Sequence, residues 1–253
     1  MAEHPTLNKL LQLRLTAMAD AYMIQLQDPS TQRLSFEDRF SLLVDREFTR
    51  RKNNRLKRLF QQACLDQSHA HLADINYSQH RHLDKAMILE LATGAYLTNK
   101  HNIIILGATG AGKSYIACAL GAEACKQFYR VRYTRLPELL QELAYARRDG
   151  NYQKIFDQYR KVSLLILDEW MIWSLSESEA RDVLELIHVR HKRASTIFCS
   201  QFAPAGWHEK IGQVTLADAI LDRIVHDSYF IEIHSGDNDP SMREVYGLTG
   251  KKQ

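Results

Sequence analysis

The segment Gly107-Ala-Thr-Gly-Ala-Gly-Lys-Ser114 directly follows the apolar run Ile103–Leu106 and opens a stretch with helical apolar spacing. A buried strand, a glycine loop and a helix in this order predict a phosphate-binding loop. The glycines allow successive backbone N–H groups to turn inward, Lys113 supplies a cation for the β- and γ-phosphates, and Ser114 supplies a hydroxyl for Mg²⁺. The residues expected to hold the nucleotide are Gly107, Ala108, Thr109, Gly110, Ala111, Gly112, Lys113, Ser114 and Tyr115.

Two adjacent carboxylates follow another apolar run and indicate hydrolysis. Leu164–Leu167 is followed by Asp168 and Glu169, 55 and 56 residues after Lys113. Asp168 is expected to hold Mg²⁺, usually through water, while Glu169 orients and deprotonates the water that attacks the γ-phosphate. The second carboxylate favours water as the phosphoryl acceptor, and therefore an ATPase over a phosphate-loop kinase that acts on a small molecule.

Short apolar runs alternate with amphipathic segments from residue 102 onwards, which is typical of an α/β fold. We expect strands over Ile103–Leu106, Val131–Thr134, Leu164–Leu167, Thr196–Ser200 and Tyr229–Ile233. We expect helices over Lys113–Gln127, Pro137–Arg148, Ser176–Lys192 and Leu216–His226. This alternation predicts a parallel, doubly wound sheet of five strands with helices on both faces.

The first part of the chain reads as a small all-α domain. Apolar residues from Leu7 to Leu26 recur at steps of three and four and predict one helix, which Asp28-Pro29-Ser30 ends. A second helix is predicted to start at Ser35, and a further one over Lys85–Tyr96. The apolar stripe of the second helix is expected to be buried and comprises Phe36, Phe40, Leu43, Val44 and Phe48. We therefore predict a helical DNA- or partner-binding domain, residues 1–72, ahead of an ATPase domain, residues 73–253.

The basic excess is concentrated in this helical part. The net charge is +3, with 14 Lys/Arg against 11 Asp/Glu in residues 1–100 and 19 against 19 in the remainder. The cluster behind the excess comprises Arg46, Arg50, Arg51, Lys52, Arg55, Lys57 and Arg58. Arg51, Arg55 and Arg58 fall on one helical face, which fits either a solvated surface or contacts with nucleic-acid phosphates.

Two further polar positions are candidates for catalysis. Ser200 and Gln201 end a predicted strand, where ligands of doubly wound sheets are found, so either is placed to reach the γ-phosphate or the attacking water. Arg223 follows Asp222 in a predicted helix and suits an arginine finger that acts on a neighbour's nucleotide, although such pairs are usually surface ion pairs. The stretch 77–85 is suggested to contact adenine by its place upstream of the phosphate loop.

The remaining composition excludes several classes of protein. The four cysteines, Cys64, Cys118, Cys125 and Cys199, form no C-x-x-C pair and are expected to be buried thiols. No apolar run approaches the length of a membrane span, and the first 20 residues lack the apolar region of a signal peptide. A cytoplasmic protein is the expectation.

Together these motifs resemble an AAA+ ATPase. GATGAGKS is similar to Walker A, LLILDE to Walker B, CSQF to sensor I, and ILDRIVHDSYFIEI to the segment that carries the arginine finger. With PSMRE at residues 240–244, the chain resembles the IstB and DnaC/DnaI group, and its N-terminal helices resemble IstB proteins, the ATP-binding helpers of an insertion-sequence transposase.

The resemblance implies the cofactors ATP and Mg²⁺ and three partners: double-stranded DNA, the cognate transposase and further copies of the chain. It implies catalytic roles for Lys113, Glu169, Gln201 and the trans-acting Arg223, metal roles for Ser114 and Asp168, and a sensor II role for Arg243. It also favours DNA contact by the basic cluster. Two features depart from common AAA+ patterns: Gln201 stands where many members have Asn, and the 20 residues after the last strand are too few for a three-helix lid.

Three alternatives stay open. A helicase loader of the DnaC/DnaI type predicts binding to a replicative helicase through residues 1–72 and a preference for single strands. An ATP-binding assembly scaffold predicts little turnover. A small-molecule kinase predicts a monomer that is indifferent to DNA.

Overall fold

The structure of the protein is a computed structural model that describes residues 4–78, 81–234 and 242, apart from the side chain of Gln32. The chain forms two compact units, Met1–Arg58 and Leu59–Gln253. No helix within the described residues has the length and apolar character that crossing a membrane requires.

The first unit consists of α1 (Pro5–Gln12), α2 (Thr16–Gln27) and the start of α3 (Phe36–Ala63). The single helix predicted over Leu7–Leu26 is wrong, because the chain turns at Arg14, where φ is +58°. Arg51 of α3 donates to the backbone oxygen of Arg14 at 3.1 Å, so a residue distant in sequence stabilises the break. The predicted start of α3 is confirmed, since Ser35 Oγ accepts the N–H of Asp38 at 3.1 Å.

The buried face of α3 differs from the predicted one. Leu43 is buried, but Phe36, Phe40, Val44 and Phe48 are exposed, so the expectation of a buried stripe is wrong for these four residues.

The buried polar residue of this face is Glu47. Its carboxylate accepts the N–H groups of Ala17 and Met18 at 2.9 and 3.2 Å, which stabilises the first turn of α2. Burial opposes the charge on Glu47, but the hydrogen bonds from Arg51 and the two backbone groups outweigh burial and lower its pKa. A carboxylate at the start of α2 therefore fixes this side of α3 against the other helices.

The second unit contains a parallel five-stranded sheet, as predicted. Its order is β2-β3-β4-β1-β5, and every neighbouring pair is parallel. The strands are β1 (Asn102–Gly107), β2 (Val131–Arg135), β3 (Leu164–Asp168), β4 (Ser195–Ser200) and β5 (Ser228–Ile233). Crossovers between parallel strands require helices on the faces of the sheet.

The helices of this unit are α4 (Lys85–Ala92), α5 (Ala95–Asn99), α6 (Lys113–Lys126), α7 (Leu136–Arg148), α8 (Tyr152–Arg160), α9 (Glu177–Arg190), α10 (Pro204–Ile211) and α11 (Val214–Val225). The helix predicted over Lys85–Tyr96 is broken at Gly94, where φ is +82°. The sequence analysis did not predict α8 and α10. The capping box of α9 is present, with Ser176 and Glu179 bonded to each other's backbone N–H groups.

Alternate residues of the central strands enter two cores. Ile103, Ile105 and Ile166 pack on one face with α4, α5 and α6, while Ile104 and Leu165 pack on the other with α7, α9 and α11. Residues 59–72 were assigned to the helical domain in the sequence analysis, but they include side chains of the first core: Leu59, Ala63 and Ala70. Three cysteines are buried as expected, but Cys64 is exposed.

A buried arginine joins the ends of β3 and β4. Arg190 is only 2% exposed and donates to the backbone oxygens of Tyr159, Val162 and Ser195 and to the hydroxyl of Thr196. Burial lowers the pKa of Arg190 to about 9. Its guanidinium therefore satisfies carbonyl groups that would otherwise be buried without donors.

Candidate nucleotide-binding site

The predicted phosphate loop lies between β1 and α6. Gly110 and Gly112 have φ angles of +81° and +96°, which side chains other than glycine rarely adopt. A Cβ at Gly107 would lie 3.0 Å from the backbone oxygen of Ile233, so the loop also needs glycine for space. Lys113 is buried, and its Nζ donates to the backbone oxygens of Gly107 and Ala108 at 2.8 Å. The loop thus has the conformation and the cation that a polyphosphate requires.

Asp168 and Ser114 converge as predicted. Ser114 Oγ donates to Asp168 Oδ2 at 2.5 Å, although 54 residues separate them in sequence. Asp168 ends β3 and is buried, and its Oδ1 accepts the N–H of Glu169 at 2.8 Å. A hydroxyl and a carboxylate beside a phosphate loop are the oxygen donors that Mg²⁺ shares with nucleotide phosphates. No cluster of three His, Cys, Asp or Glu side chains suited to a metal occurs among the described residues.

Tyr133 is a site residue that the sequence analysis missed. Its hydroxyl, on β2, donates to Asp168 Oδ2 at 2.8 Å and is buried. Burial and the charge of Asp168 both raise the pKa of Tyr133, so the phenol remains the donor in this hydrogen bond. The signal that would have found it is the position of Tyr133 near the carboxyl end of a strand that pairs with β3.

Glu169 lies in a strained position beside a second missed residue, Arg135. Glu169 has φ +53°, in the left-handed region, and its carboxylate lies 3.9 Å from Arg135 Nε. Arg135 also lies within 4 Å of the carboxylates of Asp66 and Glu138. The pKa of Arg135 is raised, chiefly by a hydrogen bond with Tyr133 and then by the charge of Glu169. The expected general base is therefore held by its backbone and by one arginine.

The loop after Glu169 packs into the protein. Trp170 and Met171 are buried, whereas Trp173 is half-exposed. The backbone N–H of Trp170 donates to the backbone oxygen of Cys199 at 2.9 Å. Ser200 Oγ in turn donates to the backbone oxygen of Trp170 at 2.9 Å. The Trp-Met-Ile-Trp segment thus anchors the catalytic edge to β4.

The two candidates at the end of β4 have different surroundings. Ser200 is buried and bonds to Trp170 and Trp207, so its hydroxyl is engaged within the core. Gln201 follows it and is exposed, at the carboxyl end of the strand that lies between β1 and β3. Of the two, Gln201 has the side chain that is accessible to a ligand.

The other predicted side chains have hydrogen-bond partners outside the phosphate loop. Arg223, on α11, is partly exposed and donates to the backbone oxygen of Ala219 at 2.5 Å. Tyr115 follows Ser114 in α6, and its hydroxyl accepts the N–H of His71 at 3.2 Å. Arg147, in the last turn of α7, pairs with Asp182 at 2.5 Å.

Arg81 lies in the stretch suggested to contact adenine and touches the phosphate loop. Its guanidinium is buried and donates to the backbone oxygen of Ala111 at 2.5 Å and to that of Asn76 at 2.7 Å. No sequence pattern indicated this contact. Arg243, the sensor II candidate, lies outside the described residues, although the N–H of Met242 donates to the backbone oxygen of Gly110 at 3.0 Å.

The predicted DNA-binding residues lie along α3, and all seven are exposed: Arg46, Arg50, Arg51, Lys52, Arg55, Lys57 and Arg58. Arg51 also pairs with Glu47 at 2.7 Å, yet its side chain stays 58% exposed. A helical segment with this density of cations suits contacts with phosphates.

Known proteins match most of the chain. The profile of the family described as IstB-like ATP binding protein matches residues 8–244. A protein of Sinorhizobium fredii named as insertion sequence ATP-binding protein y4pL is 40% identical over 233 residues, which cover 92% of this chain and 95% of that protein. One of Pseudomonas fluorescens, named as the ATP-binding protein of insertion sequence IS1162, is 43% identical over 201 residues, covering 79% and 87%.

Solved structures share the fold of about two thirds of the chain. A DnaI structure matches with a TM-score of 0.57 and 22% identity over 65% of this chain and 91% of that one. The DnaC helicase loader matches with a TM-score of 0.51 and 19% identity over 69% and 98%. These similarities agree with the predicted AAA+ fold.

Proposed function

Because this chain belongs to the family of IstB-like ATP-binding proteins, we propose that it is a cytoplasmic, ATP-hydrolysing helper of an insertion-sequence transposase that assembles on duplex DNA. The observation that carries the proposal is the contact of Asp168 with Ser114 at the end of the phosphate loop. Lys113 and the inward N–H groups would bind the polyphosphate, Ser114 and Asp168 would hold Mg²⁺, and Glu169 would activate water. Magnesium supplies charge neutralisation at the phosphates.

Hydrolysis is tested by multiple-turnover phosphate release with and without plasmid DNA. We expect DNA to raise the rate, Lys113→Ala to weaken nucleotide binding, and Glu169→Gln to bind ATP normally while turnover falls by about 100-fold or more. Arg181→Ala, on the exposed face of α9, is the matched control and should match the wild type. Negligible turnover of the wild-type protein under all conditions would instead support an ATP-binding scaffold.

Self-assembly is proposed to complete the site through Arg223. Its partly exposed position on α11 suits contact with nucleotide held by a neighbouring subunit, where an arginine neutralises charge on the transferring phosphoryl group. Arg223→Ala should lower DNA-stimulated hydrolysis without changing nucleotide affinity. Mixing this variant with Glu169→Gln protein should restore part of the activity, because some interfaces then contain both intact residues.

DNA binding is proposed for the basic cluster on α3. Replacing Arg55 or Arg58 by Ala should weaken duplex binding for all sequences and lower the slope of log K against log salt by about 1 for each lost phosphate contact. An unchanged slope in the double variant would exclude these residues. Tighter binding to single strands than to duplexes, together with capture of a replicative helicase, would favour the helicase loader.

A further inference from the structure

A buried arginine from the segment before α4 lies against the phosphate loop. Arg81 is 7% exposed, and its Nη2 donates to the backbone oxygen of Ala111 at 2.5 Å. The same nitrogen would lie 3.2 Å from a Cβ at Gly112, so the guanidinium lies close against this glycine. Arg81 therefore contacts the peptide unit that joins Ala111 to Gly112.

This contact sets the direction of one N–H group of the loop. The C=O and N–H of a trans peptide point in opposite directions, and the described residues contain no cis peptide. A phosphate loop needs its N–H groups on the inner side, so a donor on the Ala111 oxygen holds the Gly112 N–H inward. The N–H of Ala111 is already used by the turn of the loop, because it donates to the backbone oxygen of Ala108 at 3.2 Å. Of these two neighbouring N–H groups, Arg81 thus directs that of Gly112.

Arg81 is itself held by groups outside the loop. Its Nη1 donates to the backbone oxygen of Asn76 at 2.7 Å, so the two ends of the guanidinium bond to two different segments. Its backbone N–H donates to the oxygen of Ser78 at 3.0 Å, and its backbone oxygen accepts the N–H of His234, directly after β5, at 3.2 Å. A side chain fixed in this way orients the loop before a ligand arrives, which lowers the entropy lost on binding.

We propose that Arg81 is a positioning residue of the nucleotide site, which orients the peptide between Ala111 and Gly112 so that the Gly112 N–H meets the polyphosphate. This role rests on the proposed nucleotide binding and adds to it a residue that acts through the loop. It differs from the adenine contact expected of the stretch 77–85, because it concerns the phosphates and is independent of the base.

The first test compares the binding of a fluorescent ATP analogue to the wild-type protein, Arg81→Ala and Arg81→Lys. We expect Arg81→Ala to weaken binding about tenfold or more, which is the effect of losing one hydrogen bond to a charged group. Arg81→Lys should recover part of this loss, because an ammonium can still donate to the Ala111 oxygen but does not span both carbonyls. Millimolar guanidinium chloride, far below denaturing concentrations, should recover part of the affinity of Arg81→Ala.

Arg130→Ala is the matched control. Arg130 also donates to a backbone oxygen, that of Lys161 at 2.9 Å, but it precedes β2 and so lies at the opposite edge of the sheet from the phosphate loop. This variant should bind the analogue like the wild type, with or without guanidinium. Circular dichroism and urea unfolding establish that each variant folds, and Arg81→Lys carries the test if Arg81→Ala does not fold.

The second test displaces the analogue with inorganic tripolyphosphate, which has no base. We expect the Arg81 variants to lose affinity for tripolyphosphate and for ATP by similar factors, because both ligands need the Gly112 N–H. A loss for ATP alone would overturn the proposal, since Arg81 would then act on the base. Unchanged affinity in Arg81→Ala would overturn it too, as would equal losses in Arg81→Ala and Arg81→Lys without any recovery by guanidinium.

The same measurements separate this role from the proposed function. A wild-type protein that binds neither ATP nor tripolyphosphate would overturn the nucleotide site and this role with it. Normal wild-type binding that does not depend on Arg81 would overturn only the positioning role.

Discussion

Removing the hydroxyl of Tyr133 tests whether β2 orients the proposed Mg²⁺ ligand. Asp168 accepts three hydrogen bonds, from Ser114, Tyr133 and the N–H of Glu169, and Tyr133→Phe removes one. A hydrogen bond to a charged group contributes about 1.5–3 kcal/mol, so its loss corresponds to roughly a tenfold or larger effect. Because Ser114 would turn toward the ion, the Tyr133 hydroxyl is the side-chain donor that keeps Asp168 oriented. Residues that orient metal ligands commonly change metal affinity or activity by about 10–100-fold.

The assay is a Mg²⁺ titration at saturating ATP, followed both by phosphate release and by binding of a fluorescent ATP analogue. We expect Tyr133→Phe to raise the half-saturating Mg²⁺ concentration about tenfold, with little change in nucleotide binding at high Mg²⁺. Tyr159→Phe is the matched control, since its buried hydroxyl donates to Glu142 rather than to the site. Both variants should lose about 1.5–3 kcal/mol of stability, because each removes a hydrogen bond to a carboxylate. A Mg²⁺ dependence that is the same in both would refute the orienting role.

Three further predictions follow from backbone angle, burial and buried charge. Gly112 has φ +96° and lies beside the Arg81 guanidinium, so Gly112→Ala should weaken ATP binding at least tenfold in thermal-shift assays. The control Gly150→Ala, in open space at φ +71°, should bind ATP normally. Arg190→Met should lower the free energy of unfolding in urea by about 3 kcal/mol or more, because it leaves buried carbonyls without donors. The control Arg181→Met, at an exposed position, should change the free energy of unfolding by less than about 0.5 kcal/mol. Burial raises the pKa of Cys118 and Cys125 to about 12 and that of Cys199 well above its usual value. At pH 8 a thiol reagent should therefore label only the exposed Cys64 rapidly. Labelling of all four cysteines without denaturant would contradict this burial.

The strands and the phosphate loop could be predicted because their signals are local. Each of the five strands is a short apolar run next to an amphipathic segment, and all five occur within a residue or two of the predicted bounds. The loop needs glycine at positions 107, 110 and 112, and Asp168 ends a strand whose carboxyl edge must meet the loop. The helices α8 and α10 were missed because they are short, with nine and eight residues.

Other features depend on contacts between distant residues. The break at Arg14 is stabilised by Arg51 of another helix, and Tyr133 and Arg135 reach Asp168 and Glu169 only because β2 pairs with β3. Which side of α3 is buried depends on the contact of Glu47 with the start of α2, whereas the apolar period alone also pointed to four residues that are exposed.

The sequence by itself therefore determined the sheet, the phosphate loop and the pair of acidic residues, because each is encoded by neighbouring residues whose chemistry permits few alternatives. Only the tertiary structure decided which groups orient Asp168 and Glu169 and which face of α3 remains exposed. These depend on how separate elements pack, and the free energy of packing belongs to pairs of residues that lie far apart along the chain.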